Sequence, residues 1–123
     1  MANILIIDDS PTDVRVLATL MERAGHQVAA VNSAEEGIER VHAERPDLVI
    51  MDVIMPGMNG FQATRTLTRD PKTQDIPVVM ITTKSMETDR VWGMRQGARA
   101  FITKPVGEKE LLTCINDLLS SGT

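Results

Sequence analysis

The chain has 123 residues, 42% hydrophobic and 24% charged, which is enough for one globular core and too little for a second domain. Its net charge of −4, with no dense Lys/Arg run, excludes non-specific nucleic-acid binding and an anionic membrane partner. A single cysteine, Cys114, excludes an intrachain disulfide and a Cys-rich metal site, and four apolar residues after Asn3 are too few for a signal peptide or membrane span, so a cytoplasmic protein is expected.

Short β-rich runs alternate with longer helical patterns, as in repeated βαβ units around a parallel sheet covered on both faces, and five strands with five helices are predicted. The first run, Ile4-Leu5-Ile6-Ile7, gives out at Asp8 and Asp9. Ser10 and Pro11 supply an N-cap and an N1 proline for a helix with Val14, Leu17, Ala18 and Met21 inward and Gly25 as its stop. Residues 27–31 read as the second strand. Ser33 and Glu36 then have capping-box spacing before a helix with Ile38 and Val41 inward, ended by Pro46 and Asp47. The third run, Leu48-Val49-Ile50-Met51, stops at Asp52, and Met55-Pro56-Gly57-Met58-Asn59-Gly60 supplies turn chemistry before a short helix over about residues 61–69. Asp70-Pro71 breaks that helix, and the strand at 78–81 ends in the hydroxyls Thr82 and Thr83. Ser85 is expected to cap a helix containing Val91, Trp92 and Met94 that Gly97 stops. Residues 100–103 form the fifth strand, ending at Lys104-Pro105. A last helix from about Glu108 buries Leu111, Leu112, Ile115, Leu118 and Leu119, with residues 120–123 fraying.

In a parallel sheet the runs before Asp8-Asp9 and Asp52 deliver three carboxylates to one edge, where open α/β folds bind ligands. Carboxylates about 4 Å apart repel by roughly 4 kcal/mol per pair at an effective dielectric near 20. A hard cation resolves this, and Mg²⁺ suits a shallow site of carboxylates, a carbonyl, waters and a phosphoryl oxygen. Lys104 arrives at the same edge as a mobile point charge for Asp52 or a phosphoryl group. The set suits phosphoryl transfer onto Asp52, with Thr82 donating a hydrogen bond.

Asp8-Asp9, Met51-Asp52-Val53-Ile54-Met55-Pro56-Gly57, Thr82 and Lys104-Pro105 together resemble, in identity, order and spacing, the receiver domain of two-component response regulators. The resemblance covers essentially all of residues 1–123 and implies a single receiver domain with no output domain. It also implies the doubly wound, flavodoxin-like (CheY-like) α/β fold with sheet order 2-1-3-4-5. By the same resemblance Asp52 accepts the phosphoryl group from a CheA-like histidine kinase, Asp9 ligates Mg²⁺ directly, Asp8 acts through water and Ile54 offers its backbone carbonyl. Thr82 and Phe101 stand as the switch pair that remodels the face of the last two helices and last strand. The Lys104-Pro105 peptide is cis in the family. Asn59-Gly60-Phe61-Gln62-Ala63-Thr64-Arg65, Thr82-Thr83-Lys84 and Trp92-Gly93-Met94-Arg95-Gln96-Gly97-Ala98-Arg99 resemble more narrowly the PilH-type stand-alone receivers. Those act in the chemotaxis-like control of type IV pili and twitching motility.

The implied protein is not an enzyme on external substrates. It signals by protein contact or drains phosphate, as a monomer or a weak phosphorylation-dependent dimer, without nucleic-acid or membrane partners. A pseudo-receiver that binds without phosphorylation is opposed by the intact acids, hydroxyl and lysine. An Mg²⁺-dependent aspartyl phosphatase is opposed by Ile54, which stands where a general acid belongs. Relatives with fast hydrolysis carry amides or carboxylates where this chain has Ile54 and Lys84, so a long-lived aspartyl phosphate is expected. Phe101 reads equally as fixed core or as a moving switch, and Trp92 as a cover for its helix or a half-exposed anchor. Most of the eight methionines read as core, His26 and His42 as surface residues, and Cys114 as a small core hydrophobe.

Overall fold

The computed structural model describes residues 1–121. Five strands alternate with five helices: β1 (Asn3–Ile7), α1 (Pro11–Arg23), β2 (Gln27–Val31), α2 (Ala34–Glu44), β3 (Leu48–Met51), α3 (Gly60–Arg69), β4 (Val78–Thr82), α4 (Glu87–Arg95), β5 (Ala100–Thr103) and α5 (Glu108–Ser121). All strand pairs are parallel and the order is β2-β1-β3-β4-β5, as the family resemblance implies.

The apolar runs are continuous because the central strands are covered on both faces. Ile4, Ile6, Leu48, Ile50, Val79 and Ile81 point toward α1 and α5, meeting Leu17, Met21, Leu111 and Ile115. Their neighbours Leu5, Ile7, Val49, Met51 and Val78 point to the opposite face, against Val41 of α2 and Ala63 and Leu67 of α3. A smaller cluster of Val53, Met80, Ala98, Phe61 and Phe101 closes the α3 and α4 end of that face. No helix among the described residues is long and apolar enough to cross a membrane.

Local signals place most boundaries. The Ser10 side chain accepts from Asp13 N–H at 3.3 Å with Pro11 at N1, and Gly25 and Gly97 take positive φ just past α1 and α4. At α2 only half of the expected box forms, with Ser33 accepting from Glu36 N–H at 3.2 Å. The α2 C-cap is Arg45 at φ 46, a left-handed residue that glycine or asparagine usually fills. Its guanidinium compensates by bonding the Lys72 carbonyl and the Asp75 carboxylate.

Several expectations need correction. Ser85 does not cap α4: Met86 holds that position and the Asp89 carboxylate accepts its N–H at 3.3 Å, so an acid inside the helix replaces a hydroxyl before it. The α3 helix starts at Gly60 rather than 61, because Asn59 and Gln62 form a reciprocal capping box at 2.9 and 3.0 Å. Strand β4 includes Thr82, which still pairs with Thr103. Ser120 and Ser121 stay in α5, while the fraying expected of residues 122–123 lies outside the described residues. His26 is half-buried, its Nδ1 accepting from Ala2 N–H at 3.1 Å, whereas His42 is at the surface as expected. Met21, Met51, Met55 and Met80 are core and Met58 packs against it, but Met1, Met86 and Met94 are exposed.

Candidate functional site

Backbone hydrogen bonds beyond the strand ends gather the chemistry. Asp8 N–H donates to Val31 O at 3.1 Å and Asp52 N–H to Ile7 O at 2.9 Å, so both residues leave the sheet side by side. Lys104 N–H donates to Thr82 O at 2.8 Å and sets the lysine at the same edge. One carboxylate oxygen from each of Asp8, Asp9 and Asp52 lies within 4.8 Å of the others. Asp8 and Asp52 are buried, at 2% and 6% exposure, while Asp9 faces solvent.

The Lys104 ammonium lies among them, 2.8 Å from Asp8 Oδ2, 2.7 Å from Asp13 Oδ2 and 3.8 Å from Asp52 Oδ1. Burial works against its charge, but the hydrogen bonds to Asp13 and Asp8 and the Asp52 charge outweigh that and raise its pKa. Asp52 is pushed above the usual carboxylate range by burial first and by the Asp8 charge second. Lys104, the Val53 backbone and the Thr82 hydroxyl offset this only in part. The Thr82 hydroxyl, fully buried, also accepts from Lys84 N–H at 3.3 Å. The site thus carries more negative than positive charge within a few ångströms, offered entirely by hard oxygens, and this donor set fits a small divalent cation such as Mg²⁺.

The loop after Asp52 is held tightly. Gly60 N–H donates to Val53 O at 2.9 Å, and a Cβ at Gly60 would run into the Asp52 carbonyl oxygen, so only glycine lets α3 begin here. Glu35, from the first turn of α2, accepts Met58 N–H at 3.2 Å. Ile54, two residues after Asp52 in the chain, has 56% of its surface exposed, and Lys84 turns to an ion pair with Asp89 at 3.4 Å. Phe101 is half-buried among Val53, Met80 and Phe61, its ring flush with α4 at Gly93, where a Cβ would lie 2.9 Å from Cδ2. Trp92 is 47% exposed, as Met86, Val91 and Met94 of the same region also are in part, which decides for the half-exposed reading. Cys114 packs at the edge of the α1 and α5 cluster, and burial, followed by Asp117 and Glu110, raises its thiol pKa.

Asp8, Asp9, Asp52, Thr82 and Lys104 therefore converge at one edge, and Ile54 follows Asp52 by two residues. Sequence reasoning missed Asp13 and Glu35, and read Gly60 as turn chemistry without its close approach to the Asp52 carbonyl. The Ser10-to-Asp13 spacing of a capping box could have drawn attention to Asp13, although its carboxylate serves Lys104 instead. Nothing local could have linked Glu35 to Met58.

The response regulator receiver domain model matches residues 4–116. Protein PilH of Pseudomonas aeruginosa is 53% identical over 120 residues, covering 98% of this chain and 99% of that protein. Among solved structures, the signal receiver domain of a signal transduction histidine kinase from Syntrophus aciditrophicus superposes with TM-score 0.91 at 37% identity, covering 98% of this chain and 92% of that one. The Vibrio cholerae chemotaxis protein CheY4 gives TM-score 0.88 at 26% identity, covering 96% of this chain and 98% of the other.

Proposed function

Because the chain belongs to the response regulator receiver domain family, we propose that it is a stand-alone receiver over residues 1–123 that takes a phosphoryl group from a histidine kinase onto Asp52. The observation that carries this reading is the convergence of the Asp8, Asp9 and Asp52 oxygens within 4.8 Å, with the Lys104 ammonium among them.

An Asp52 carboxylate oxygen attacks the phosphorus of a phosphohistidine; the P–N bond breaks, and the imidazole leaves and takes up a proton. The buried Thr82 hydroxyl donates to an oxygen of the transferred group, and Lys104 pairs with another. Asp9, Asp52 and the Ile54 carbonyl would hold Mg²⁺, with Asp8 acting through water, and the ion supplies neutralisation of the charge gathering on the phosphoryl oxygens. Water attack on phosphorus later releases inorganic phosphate and restores the Asp52 carboxylate. Ile54 offers that water no hydrogen bond and Lys84 is engaged by Asp89, which supports a slow reversal.

Output is by protein contact or by draining phosphate from a sister receiver. We place it in the cytoplasm, in chemotaxis-like control of type IV pili, on the strength of the 53% likeness to PilH. Thr82 and Phe101 serve as the switch pair, and the ring's seat against Gly93 supports transmission to α4.

The test is intact mass after incubation with a small acyl phosphate and Mg²⁺. A gain of one phosphoryl group that needs metal and disappears in Asp52→Ala is expected; no gain in folded wild-type protein sinks the proposal in favour of a binding module.

A further inference from the structure

Lys104 is not shared evenly among the acids. Its Nζ lies 2.7 Å from Asp13 Oδ2 and 2.8 Å from Asp8 Oδ2, but 3.8 Å from Asp52 Oδ1. Asp13 stands in the first turn of α1, three residues after the N-cap Ser10, where an acid ordinarily reaches back to the cap's own N–H. That N–H is already taken, since Ser10 donates to Asp8 Oδ1 at 2.9 Å. The Asp13 carboxylate is thereby left for Lys104. Asp8 has both oxygens engaged, one by Ser10 and one by the ammonium.

We propose that Asp13 is the resting counter-ion of Lys104, a positioning residue that holds the ammonium on the α1 side of the acid cluster and must release it when Asp52 receives a phosphoryl group. The inference rests on the function proposed above. An ammonium on a flexible stem carries three donors, and Asp8 and Asp13 occupy two of them at hydrogen-bonding distance while Asp52 remains beyond it. When the Asp52 oxygen bonds to phosphorus and the donor's acyl carboxylate leaves with the electron pair, the site gains negative charge and its demand for the cation rises. Asp13 competes for that cation and adds a negative charge of its own beside the phosphoryl group.

Two consequences of opposite sign follow. In Asp13→Asn, Lys104 is free to close on Asp52, so the phosphorylated state is favoured and the donor concentration giving half-phosphorylation at saturating Mg²⁺ falls roughly threefold to tenfold, the scale of one partly exposed charge-assisted hydrogen bond. The same closure opposes a metal ion at Asp52, so the Mg²⁺ concentration that half-saturates the thermal shift of the unphosphorylated protein rises about threefold. Damage to the start of α1 would instead weaken both. Asp13→Glu, which keeps the charge, should return both midpoints toward wild type.

The experiment measures the donor midpoint by intact mass and the Mg²⁺ midpoint by melting, in wild type, Asp13→Asn, Asp13→Glu and Asp52→Ala. Opposite shifts in Asp13→Asn with recovery in Asp13→Glu establish the counter-ion role; unchanged midpoints, or both weakened, overturn it. If wild type takes no phosphoryl group, the receiver reading fails separately, and the Mg²⁺ midpoint alone judges Asp13: a weaker value recovered by Asp13→Glu upholds its hold on Lys104, and an unchanged value overturns it.

Discussion

Ile54 is the residue on which the proposed slow loss of the phosphoryl group rests. Two residues after Asp52, its side chain has 56% of its surface in water, yet carries no donor or acceptor to orient an attacking water. Replacing it with asparagine restores such a group on an exposed position that contributes little packing. Ile54→Asn should therefore leave the fold intact and shorten the lifetime of the aspartyl phosphate several-fold, roughly 1 kcal/mol in the barrier, as followed by loss of the phosphoryl mass after donor removal. A lifetime equal to or longer than wild type would contradict this account. Neighbouring Val53, buried against Met80 and Ala98, could not be exchanged so cheaply.

At the scale of elements, the site depends on how helices begin and end. The Asn59 and Gln62 box starts α3 immediately after the loop that carries Asp52. Asn59→Ala removes one side of it and should cost about 1 kcal/mol in denaturant unfolding while lowering protection of the Gln62 amide in hydrogen exchange. At the opposite end of the sheet, His42 ties α2 to the turn after α3, with Nε2 2.7 Å from Asp70 Oδ2 and Nδ1 2.9 Å from Ile38 O. Two acceptors favour the imidazolium, and the Asp70 hydrogen bond first, then the Ile38 carbonyl, raise its pKa. A raised folded-state pKa means that this link is fully present below about pH 6.5, the unfolded value, and is lost as pH rises through the folded value. The melting temperature of wild type should thus fall more between acidic and alkaline buffer than that of His42→Ala, and equal pH dependence would remove the link from the stability of the protein.

Over the whole molecule, function is set against stability at the acid cluster. Among the described residues twenty-six buried apolar side chains hold the sheet and helices together, and against that core two buried carboxylates, Asp8 and Asp52, are tolerated while repelling each other. Asp52 has a raised folded-state pKa, so its destabilising effect grows as pH rises from the ordinary value of 3.8 through the folded one and is complete above it. Asp52→Asn should stabilise the metal-free protein by roughly 1–2 kcal/mol at pH 7, and adding Mg²⁺ should narrow the difference by stabilising wild type more. Melting curves with and without Mg²⁺ check this, and a destabilised variant would show that Asp52 is already satisfied by Lys104.

The sequence by itself determined the alternation of five strands and five helices, the three acids at strand ends, the hydroxyl at Thr82 and the lysine at 104, because burial on both faces writes itself as uninterrupted apolar runs and polar residues mark where each run leaves the core. Caps were legible where a hydroxyl reached its own helix, as at Ser10 and Ser33, but the Asn59 amide read only as a turn residue, and Ser85 was misread where Asp89 from inside α4 does the work. Only the tertiary structure decided that Lys104 leans on Asp13, that Glu35 holds the loop at Met58, and that Gly60 must lack a side chain beneath Asp52. Such contacts join residues tens of positions apart, and no periodicity records them. They arise from the distances at which the folded sheet edge sets one element against another.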